Sequence, residues 1–314
     1  MRDRPDLVVM EGTGIAGGLA VLVARLFGVR YVVSSGDAVA PYLSSFRPWL
    51  RPFARAYEAL LCRSADGFVG WSPYLVGRAL TLGAPRAMTA ANWAPANPGA
   101  PPDRAAARQH FGLPENALVF GLVGSLEWHS RASYCYGAEL VRAAARVERN
   151  DLFVLVVGDG SGRDVLAELA GQRLGRSVLL PGRVPREDVP LALAAMDVAS
   201  LPQSVDGIGA FRYTTKISEY LAAGLPVVTG EIPLAYDLDD GWLWRLAGDA
   251  PWDETYVEAL AALMRSVDAG EVAERRSRVP ADSALFSLER QQRQVCDFVR
   301  DVAARVERRP TPRG

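Results

Sequence analysis

Short apolar runs rich in Val and other β-branched residues alternate along the chain with longer Ala-, Leu- and Arg-rich stretches of helical period. This alternation is typical of βαβ units that build parallel sheets. It predicts strands at 7–10, 30–35, 67–71, 118–124, 153–158, 177–181, 197–201 and 226–229. It predicts helices at 15–27, 49–64, 73–82, 103–111, 134–149, 163–174, 187–195, 215–223, 254–267 and 286–307.

A proline-rich connector separates two series of these units. Residues 92–102 hold four prolines and one glycine, a composition typical of an extended linker. The pattern predicts an N-terminal Rossmann-like domain at 1–95 and a C-terminal one at 103–285. The second has enough strand–helix units for a complete doubly wound sheet, whereas the first shows only three confident strands. Either the start of the first domain lies upstream or its architecture is shortened.

Composition and charge narrow the class of protein. The 314 residues are 49% hydrophobic and 23% charged, which indicates an ordinary folded protein. The net charge of −1 provides no basic field for nucleic acid, so no nucleic-acid partner is expected. Three widely spaced cysteines predict neither disulfides nor a structural metal. No signal peptide or membrane-spanning stretch is evident, so we expect a cytoplasmic protein.

Two glycine-rich loops follow predicted strands. The first, Gly12-Thr13-Gly14-Ile15-Ala16-Gly17, with Asp37 beyond the next strand, is similar to a dinucleotide loop and makes an NAD(P)-dependent oxidoreductase an alternative. That alternative lacks a Tyr-x-x-x-Lys pair, because Lys216 is the only lysine. The second, Gly158-Asp159-Gly160-Ser161-Gly162, either faces an anionic ligand or serves tight strand-to-helix packing.

The stretch around the lone lysine carries further candidate chemistry. Thr214 or Thr215 is placed to cap the helix at 215–223. Lys216 and Glu219 share one face of that helix. A cation in the first turn opposes the helix dipole, and a bound diphosphate would relieve this cost. A simple surface pair between Lys216 and Glu219 is the alternative.

Several segments resemble the retaining nucleotide-sugar glycosyltransferases of family four (glycosyl transferases group 1). The segments occur in the family's order and lie at Val119–Leu126, Val157–Gly160, Leu180–Pro185, Ala195–Val198 and Lys216–Val228. The resemblance implies an α/β protein of the GT-B fold, in which two Rossmann-like domains face a central cleft. It also implies that the last helix, at 286–307, crosses back to complete the N-terminal domain.

The resemblance implies roles at the donor sugar and ribose. Glu219 matches the second glutamate of the family's paired-glutamate motif, which binds the ribose hydroxyls of the donor. The first glutamate is replaced by Phe211 at the usual spacing. Asp206, in a displaced Asp-Gly-Ile-Gly element, is then the candidate catalytic carboxylate. The amides beside it belong to Ile208, Gly209 and Ala210.

The resemblance also implies how the diphosphate and the base are held. The family's two phosphate-binding cations correspond to Ser125 and Arg131, so one cation is missing and Lys216 is expected to compensate. Gly124, Gly158, Gly160 and the Thr214 and Thr215 amides complete the implied phosphate site. Arg183 and Val184 match the loop that holds the nucleobase. A metal-free site of this kind needs fixed cations because charge builds on the leaving diphosphate.

The acceptor side matches the family less well. Residues 1–109 contain no histidine, and the candidate acceptor-side residues are Glu11, Gly12 and Asp37. The acceptor is expected to be a cell-surface glycan, a lipid-linked molecule or a secondary metabolite. A non-catalytic homologue that binds a nucleotide sugar or a partner enzyme remains an alternative.

Two further stretches have competing interpretations. Aromatic and Arg residues at 46–57 would suit peripheral contact with an anionic membrane, although packing of this helix on the sheet is the simpler interpretation. Asp237-Leu238-Asp239-Asp240 superficially resembles a metal-binding Asp-x-Asp, but we expect a solvated turn there. We therefore expect neither a metal nor another cofactor, and the sequence does not indicate an oligomeric state.

Overall fold

The computed structural model describes residues 5–12, 14–91, 102–281 and 284–304. The described residues form ten strands. They are β1 Leu7–Glu11, β2 Arg30–Ser35, β3 Gly67–Gly70, β4 Ala87–Thr89, β5 Leu118–Val123, β6 Leu152–Val157, β7 Val178–Gly182, β8 Val198–Leu201, β9 Val227–Gly230 and β10 Leu243–Leu246.

The helices of the described residues lie between these strands and at the end of the chain. They are α1 Ile15–Leu26, α2 Val39–Phe46, α3 Arg51–Ser64, α4 Pro73–Thr81, α5 Arg104–Phe111, α6 Ala138–Ala144, α7 Arg163–Ala170, α8 Val189–Ala194, α9 Thr215–Ala222, α10 Pro233–Asp237, α11 Glu254–Ser266, α12 Ala269–Ser277 and α13 Leu288–Ala304. No helix of the described ranges is long and apolar enough to cross a membrane.

The chain divides into two compact units. Of the described residues, the first unit takes 5–91, 207–215 and 284–304, and the second takes 102–206 and 216–281. The sequence analysis assigned 207–215 to the second domain, but this segment groups with the first. Its aromatic side chains account for the difference, because they pack against the core of the first unit.

The first unit is a parallel sheet in the order β1-β2-β3-β4. The strands β2 and β3 are buried along most of their length, as expected for a sheet covered on both faces. Glu11 pairs with Ser34, and Ser35 pairs with Gly70, so the carboxyl ends of three strands meet at one edge. Helix α13 packs on β3, where Phe298 and Val302 contact Gly67.

The second unit is a parallel sheet in the order β10-β9-β8-β5-β6-β7. From β5 the chain proceeds outward through β6 to β7, and it then crosses back to β8 on the other side of β5. The carboxyl ends of β5 and β8 therefore flank the point at which the strand order reverses. Ligands of open α/β sheets bind in the crevice at such a point.

The predicted strands are all present, with ends shifted by at most one residue. The sequence pattern missed β4, β10, α2, α10 and α12. It missed β4 because that strand is three residues long and only partly buried. The predicted helix at 134–149 was too long, since Gly137 has a positive φ of 93° and α6 begins only after it. The connector at 92–101 and the end of the predicted helix 286–307 lie outside the described residues.

Candidate functional site

Three glycines bring the strand ends of the second unit into direct contact. The Gly124 amide after β5 donates to the Val157 carbonyl at 2.9 Å, and the Gly158 amide donates to the Gly182 carbonyl at 2.9 Å. Gly158 has a φ of 152°, and a Cβ there would collide with the Gly124 carbonyl oxygen. Only glycine permits this approach. The predicted site residues Gly124 and Gly158 therefore lie together.

The glycine loop after β6 is bonded to the loop after β5. The Leu126 amide donates to the Asp159 carbonyl at 3.0 Å, and the Gly162 amide donates to the Leu126 carbonyl at 2.7 Å. The Gly160 amide donates to the Asp159 carboxylate at 2.9 Å. Because the Gly158 and Gly160 amides already have acceptors, these two residues shape the loop, as in the packing interpretation. They are less suited to binding phosphate through their amides.

Lys216 extends from the first turn of α9 to the end of β5. A Cβ on Gly124 would lie 2.9 Å from the Lys216 Cε and 3.1 Å from its Nζ, so the side chain passes directly over this glycine. The Lys216 Nζ lies 4.4 Å from the centroid of the Tyr136 ring. A cation–π contact helps to hold an ammonium in place. The structure thus places a fixed positive charge at the switch point of the sheet.

Tyr136 is a site residue that the sequence analysis missed, and a buried carboxylate holds the chain beside it. Glu139 accepts hydrogen bonds from the Tyr134 hydroxyl at 2.8 Å, the Ser200 hydroxyl at 2.9 Å and the Gly137 amide at 3.0 Å. Complete burial raises the pKa of Glu139. These bonds tie the start of α6 to β8. No spacing in the sequence signals them.

Glu219 lies one turn along α9 from Lys216. It is half-buried, and burial raises the pKa of its carboxyl group, while Lys216 and Arg186 lower that pKa. Arg186, which the sequence analysis did not single out, thus adds a second cation near this carboxylate. A carboxylate in this setting can accept hydroxyl hydrogen bonds from a ligand.

The remaining predicted residues of the second unit are more exposed. Arg183 is exposed and Val184 is partly buried, directly after β7. Ser125 is exposed after Gly124, and Arg131 is exposed in the turn closed by the bridge between His129 and Tyr134. Asp206 is exposed at the point where the chain leaves the second unit. Their roles at the donor stay predictions.

Five predicted donor-site residues group with the first unit: Ile208, Gly209, Ala210, Thr214 and Thr215. Gly209–Phe211 forms a short 3-10 turn. Among the described residues, the buried Thr214 hydroxyl has no hydrogen-bond partner, so Thr214 does not cap α9. Thr215 is already the first residue of that helix. The predicted side-chain cap at Thr214 was wrong, because its hydroxyl is turned into the protein.

The three predicted acceptor-side residues lie at the carboxyl edge of the first sheet. Glu11 ends β1, and the Gly12 amide donates to the Ser34 carbonyl at 2.8 Å. Asp37 follows β2 and forms an ion pair with Arg212. The ring of Trp71 covers Gly36 so closely that a Cβ there would collide with it. Sequence reasoning missed both Arg212 and Trp71, which are distant from Asp37 along the chain.

The acidic turn after α10 differs from the solvated turn that was expected. The Asp239 carboxylate accepts hydrogen bonds from the amides of Gly241 at 2.8 Å and Leu243 at 3.2 Å, and it pairs with Arg245 at 2.5 Å. Its side chain is only 12% exposed. Asp239 therefore orders the start of β10. Within the described ranges, no group of three or more His, Cys, Asp or Glu side chains is arranged to hold a metal ion.

Helix α3 has two distinct faces. Its buried face carries Ala54, Glu58, Leu61 and Cys62, so this helix packs on the sheet as the simpler interpretation expects. Trp49, just before it, and Phe53 are each 67% exposed.

Family and structural comparisons agree with this architecture. Residues 1–93 match the model of the glycosyl transferase 4-like domain, and residues 117–266 match the model of glycosyl transferases group 1. The chain is 30% identical over 237 residues to a 2-deoxystreptamine glucosyltransferase from Streptomyces kanamyceticus. This match includes 69% of the chain, which spans 59% of that relative's length.

Solved structures show the same fold. The structure of Anabaena HepE in complex with UDP-glucose superposes with a TM-score of 0.69 at 20% identity, over 94% of this chain and 79% of that one. Sucrose-phosphate synthase from Thermosynechococcus elongatus superposes with a TM-score of 0.67 at 18% identity, over 96% and 74%. Both glycine loops fall inside matched glycosyl transferase domains. The chain therefore belongs to the group 1 glycosyl transferases and has the GT-B fold.

Proposed function

We propose that this protein is a retaining glycosyltransferase that moves a sugar from a nucleotide-diphosphate donor to an acceptor. The observation that carries the proposal is the Lys216 ammonium, which lies over Gly124 at the switch point of the second sheet with Glu219 one turn away. The relatives support it, since one is named a glucosyltransferase and HepE was solved with UDP-glucose.

The proposed chemistry uses two side chains one turn apart on α9, those of Lys216 and Glu219. Breaking the glycosyl–phosphate bond builds negative charge on the departing diphosphate and positive charge on the sugar. A preorganised cation lowers the barrier because its attraction grows as that charge develops. Lys216 supplies the cation, while Glu219 accepts hydrogen bonds from the ribose hydroxyls. We propose that these groups suffice without a required metal.

The acceptor remains less defined than the donor. The Streptomyces relative is named a 2-deoxystreptamine glucosyltransferase. By analogy we propose a small secondary metabolite ahead of a cell-surface glycan or a lipid-linked molecule. Catalysis would take place in the cytoplasm. The exposed Trp49 and Phe53, near the exposed Arg51 and Arg55, suit contact with the inner face of a membrane if the acceptor is lipid-linked.

A non-catalytic, nucleotide-sugar-binding homologue is the second candidate. It is favoured by Ser125, which stands where the family's first phosphate-binding cation is expected, and by the internal hydrogen bonds of the Gly160 loop. Arg186 near Glu219 offers one compensating charge.

A ligand panel separates these functions. Thermal stability is measured with UDP-, GDP- and dTDP-sugars, with NAD and NADP as controls, because binding to the native state raises the melting temperature. Donor hydrolysis is measured in parallel. A shift with one nucleotide sugar together with hydrolysis supports the transferase. A shift without turnover, even with a panel of acceptors, supports the binding homologue, and a shift with NAD alone contradicts both.

A further inference from the structure

The 207–215 segment lies between two predicted catalytic residues, Asp206 before it and Lys216 on α9 after it. The chain leaves the second unit after Asp206, groups with the first unit from Gly207 to Thr215, and re-enters the second unit at Lys216. The segment thus ends directly before Lys216 in the chain.

Aromatic side chains fix the segment in the first unit. Phe211 packs against the core of that unit, and the Arg78 guanidinium lies 5.5 Å from its ring centroid. Arg78 is itself held by Glu58 through two hydrogen bonds of 2.8 and 2.5 Å. Tyr213 is buried and meets Tyr74 edge-on at 6.4 Å. Contacts within the first unit thus order the surface against which the segment packs.

Polar contacts set the register of the segment on that surface. The Ser72 hydroxyl donates to the Phe211 carbonyl at 2.6 Å and accepts from the Leu75 amide at 3.2 Å, which caps α4. The Arg212 Nε donates to the Asp37 carboxylate. The Asp37 backbone is in turn held by Ser35, whose hydroxyl donates to the Asp37 carbonyl at 2.8 Å.

We propose that Asp37 and Arg212 form a positioning pair, which locks the 207–215 segment onto the first sheet and thereby orients the start of α9. Asp37 then acts through Arg212 and does not contact the acceptor. The ion pair suits this role because the two side chains are only 25% and 29% exposed, so water competes less strongly for their charges. The effect on Lys216 rests on the proposed function, whereas the anchoring of the segment does not.

Hydrogen exchange of the unliganded protein tests the anchoring. Asp37→Asn and Arg212→Gln should each speed exchange of the 207–215 amides by about tenfold, while the amides of β2 and β3 keep their protection. The charge-swapped double variant Asp37→Arg/Arg212→Asp should regain protection. Arg278→Gln, which breaks the exposed pair with Glu274, is the matched control and should leave the segment unchanged.

Unchanged exchange of the segment in Arg212→Gln would overturn the proposal. So would loss of protection throughout β2 and β3, because the pair would then merely stabilise the unit. If the swapped variant does not fold, the two single variants with the Arg278→Gln control decide the outcome.

Kinetics with UDP-glucose and a panel of acceptors extends the test to Lys216. The single variants should lose about tenfold in kcat and part of their preference for UDP over uridine, because a displaced Lys216 would contact the diphosphate less well, while uridine affinity stays unchanged. Full retention of kcat and of the preference for UDP over uridine would contradict the positioning of Lys216. If the wild-type protein shows no turnover while the exchange results hold, the anchoring stands and the proposed function fails.

Discussion

The carboxyl edges of the two sheets hold charged side chains in different ways. At the first edge, Asp37 is paired with Arg212, so opposite charges from the same chain meet. At the second edge, the Lys216 ammonium lies 4.4 Å from the centroid of the Tyr136 ring and close to Gly124, at the end of β5. A cation at the switch point of an open α/β sheet is placed to meet an anionic ligand, because ligands of such sheets bind in the crevice there. The comparison supports the proposals that the second edge binds the donor and that the Asp37–Arg212 pair at the first edge has a positioning role.

Replacing Lys216 tests this comparison with the largest expected effect. Lys216→Ala should lower kcat of sugar transfer or donor hydrolysis by about 10²- to 10³-fold, because leaving-group charge would lose its fixed cation. Its melting temperature without ligand should change little. Steady-state kinetics against Lys216→Arg as the conservative variant checks this. Equal activity in Lys216→Ala and wild type would mean that the two edges do not differ in function.

The glycine contacts offer a second test, on stability. Gly158→Ala should destabilise the protein by about 3 kcal/mol or more, since its φ of 152° is strained for a side chain and the added Cβ meets the Gly124 carbonyl. Gly112→Ala is the matched control: its φ is 67°, no atom of the described residues lies within 4 Å of the added Cβ, and it should cost about 1–2 kcal/mol. Urea unfolding measures both. Similar losses would show that the close approach of the loops is unimportant.

Glu219 allows a test by pH. Burial raises the pKa of this carboxyl group. The ionised form accepts ribose hydroxyl bonds more strongly than the protonated form, so donor affinity should fall as the pH drops through that raised pKa. At neutral pH, Glu219→Ala should weaken donor binding by about 1.5–3 kcal/mol. Glu219→Gln should make donor affinity less dependent on pH in the acidic range. Titration calorimetry between neutral and acidic pH follows both effects, and an unaltered acidic limb in Glu219→Gln would refute the assignment.

Removing the aromatic ring beside Lys216 should have the smallest effect on activity. Tyr136→Leu removes the ring and should cost about 0.5–2 kcal/mol in kcat/KM, the range of a cation–π contact. Tyr136→Phe keeps the ring and should behave like wild type. If both variants lose activity equally, the hydroxyl rather than the ring supports the site.

Much of the fold was predictable because parallel strands buried on both faces appear as continuous apolar runs. The strand at 153–158, for example, corresponds to β6, whose six residues are Leu, Phe and Val and are nearly all buried. The pattern failed where burial is partial or the element is short. The strand β4 is one case, and α2 is another, since Pro41 inside its eight residues obscures the helical period.

The candidate site was only partly predictable for a different reason. Gly124, Lys216 and Glu219 lie in local motifs, and the structure brings the first two into contact. Tyr136, Arg186 and Arg212 carry no local signature, because each acquires its role from a residue distant in the chain. The placement of 207–215 depended on tertiary packing of Phe211 and Tyr213 that no spacing encodes.

The most direct test of the central claim compares the affinity of a nucleoside with that of its diphosphate. Calorimetry with uridine and UDP is carried out on wild type and Lys216→Ala, or with the base that the ligand panel selects. The account predicts that wild type binds UDP more tightly than uridine and that Lys216→Ala loses most of this difference while its uridine affinity is unchanged. A diphosphate preference retained in full by Lys216→Ala would contradict the claim that Lys216 is the phosphate-binding cation.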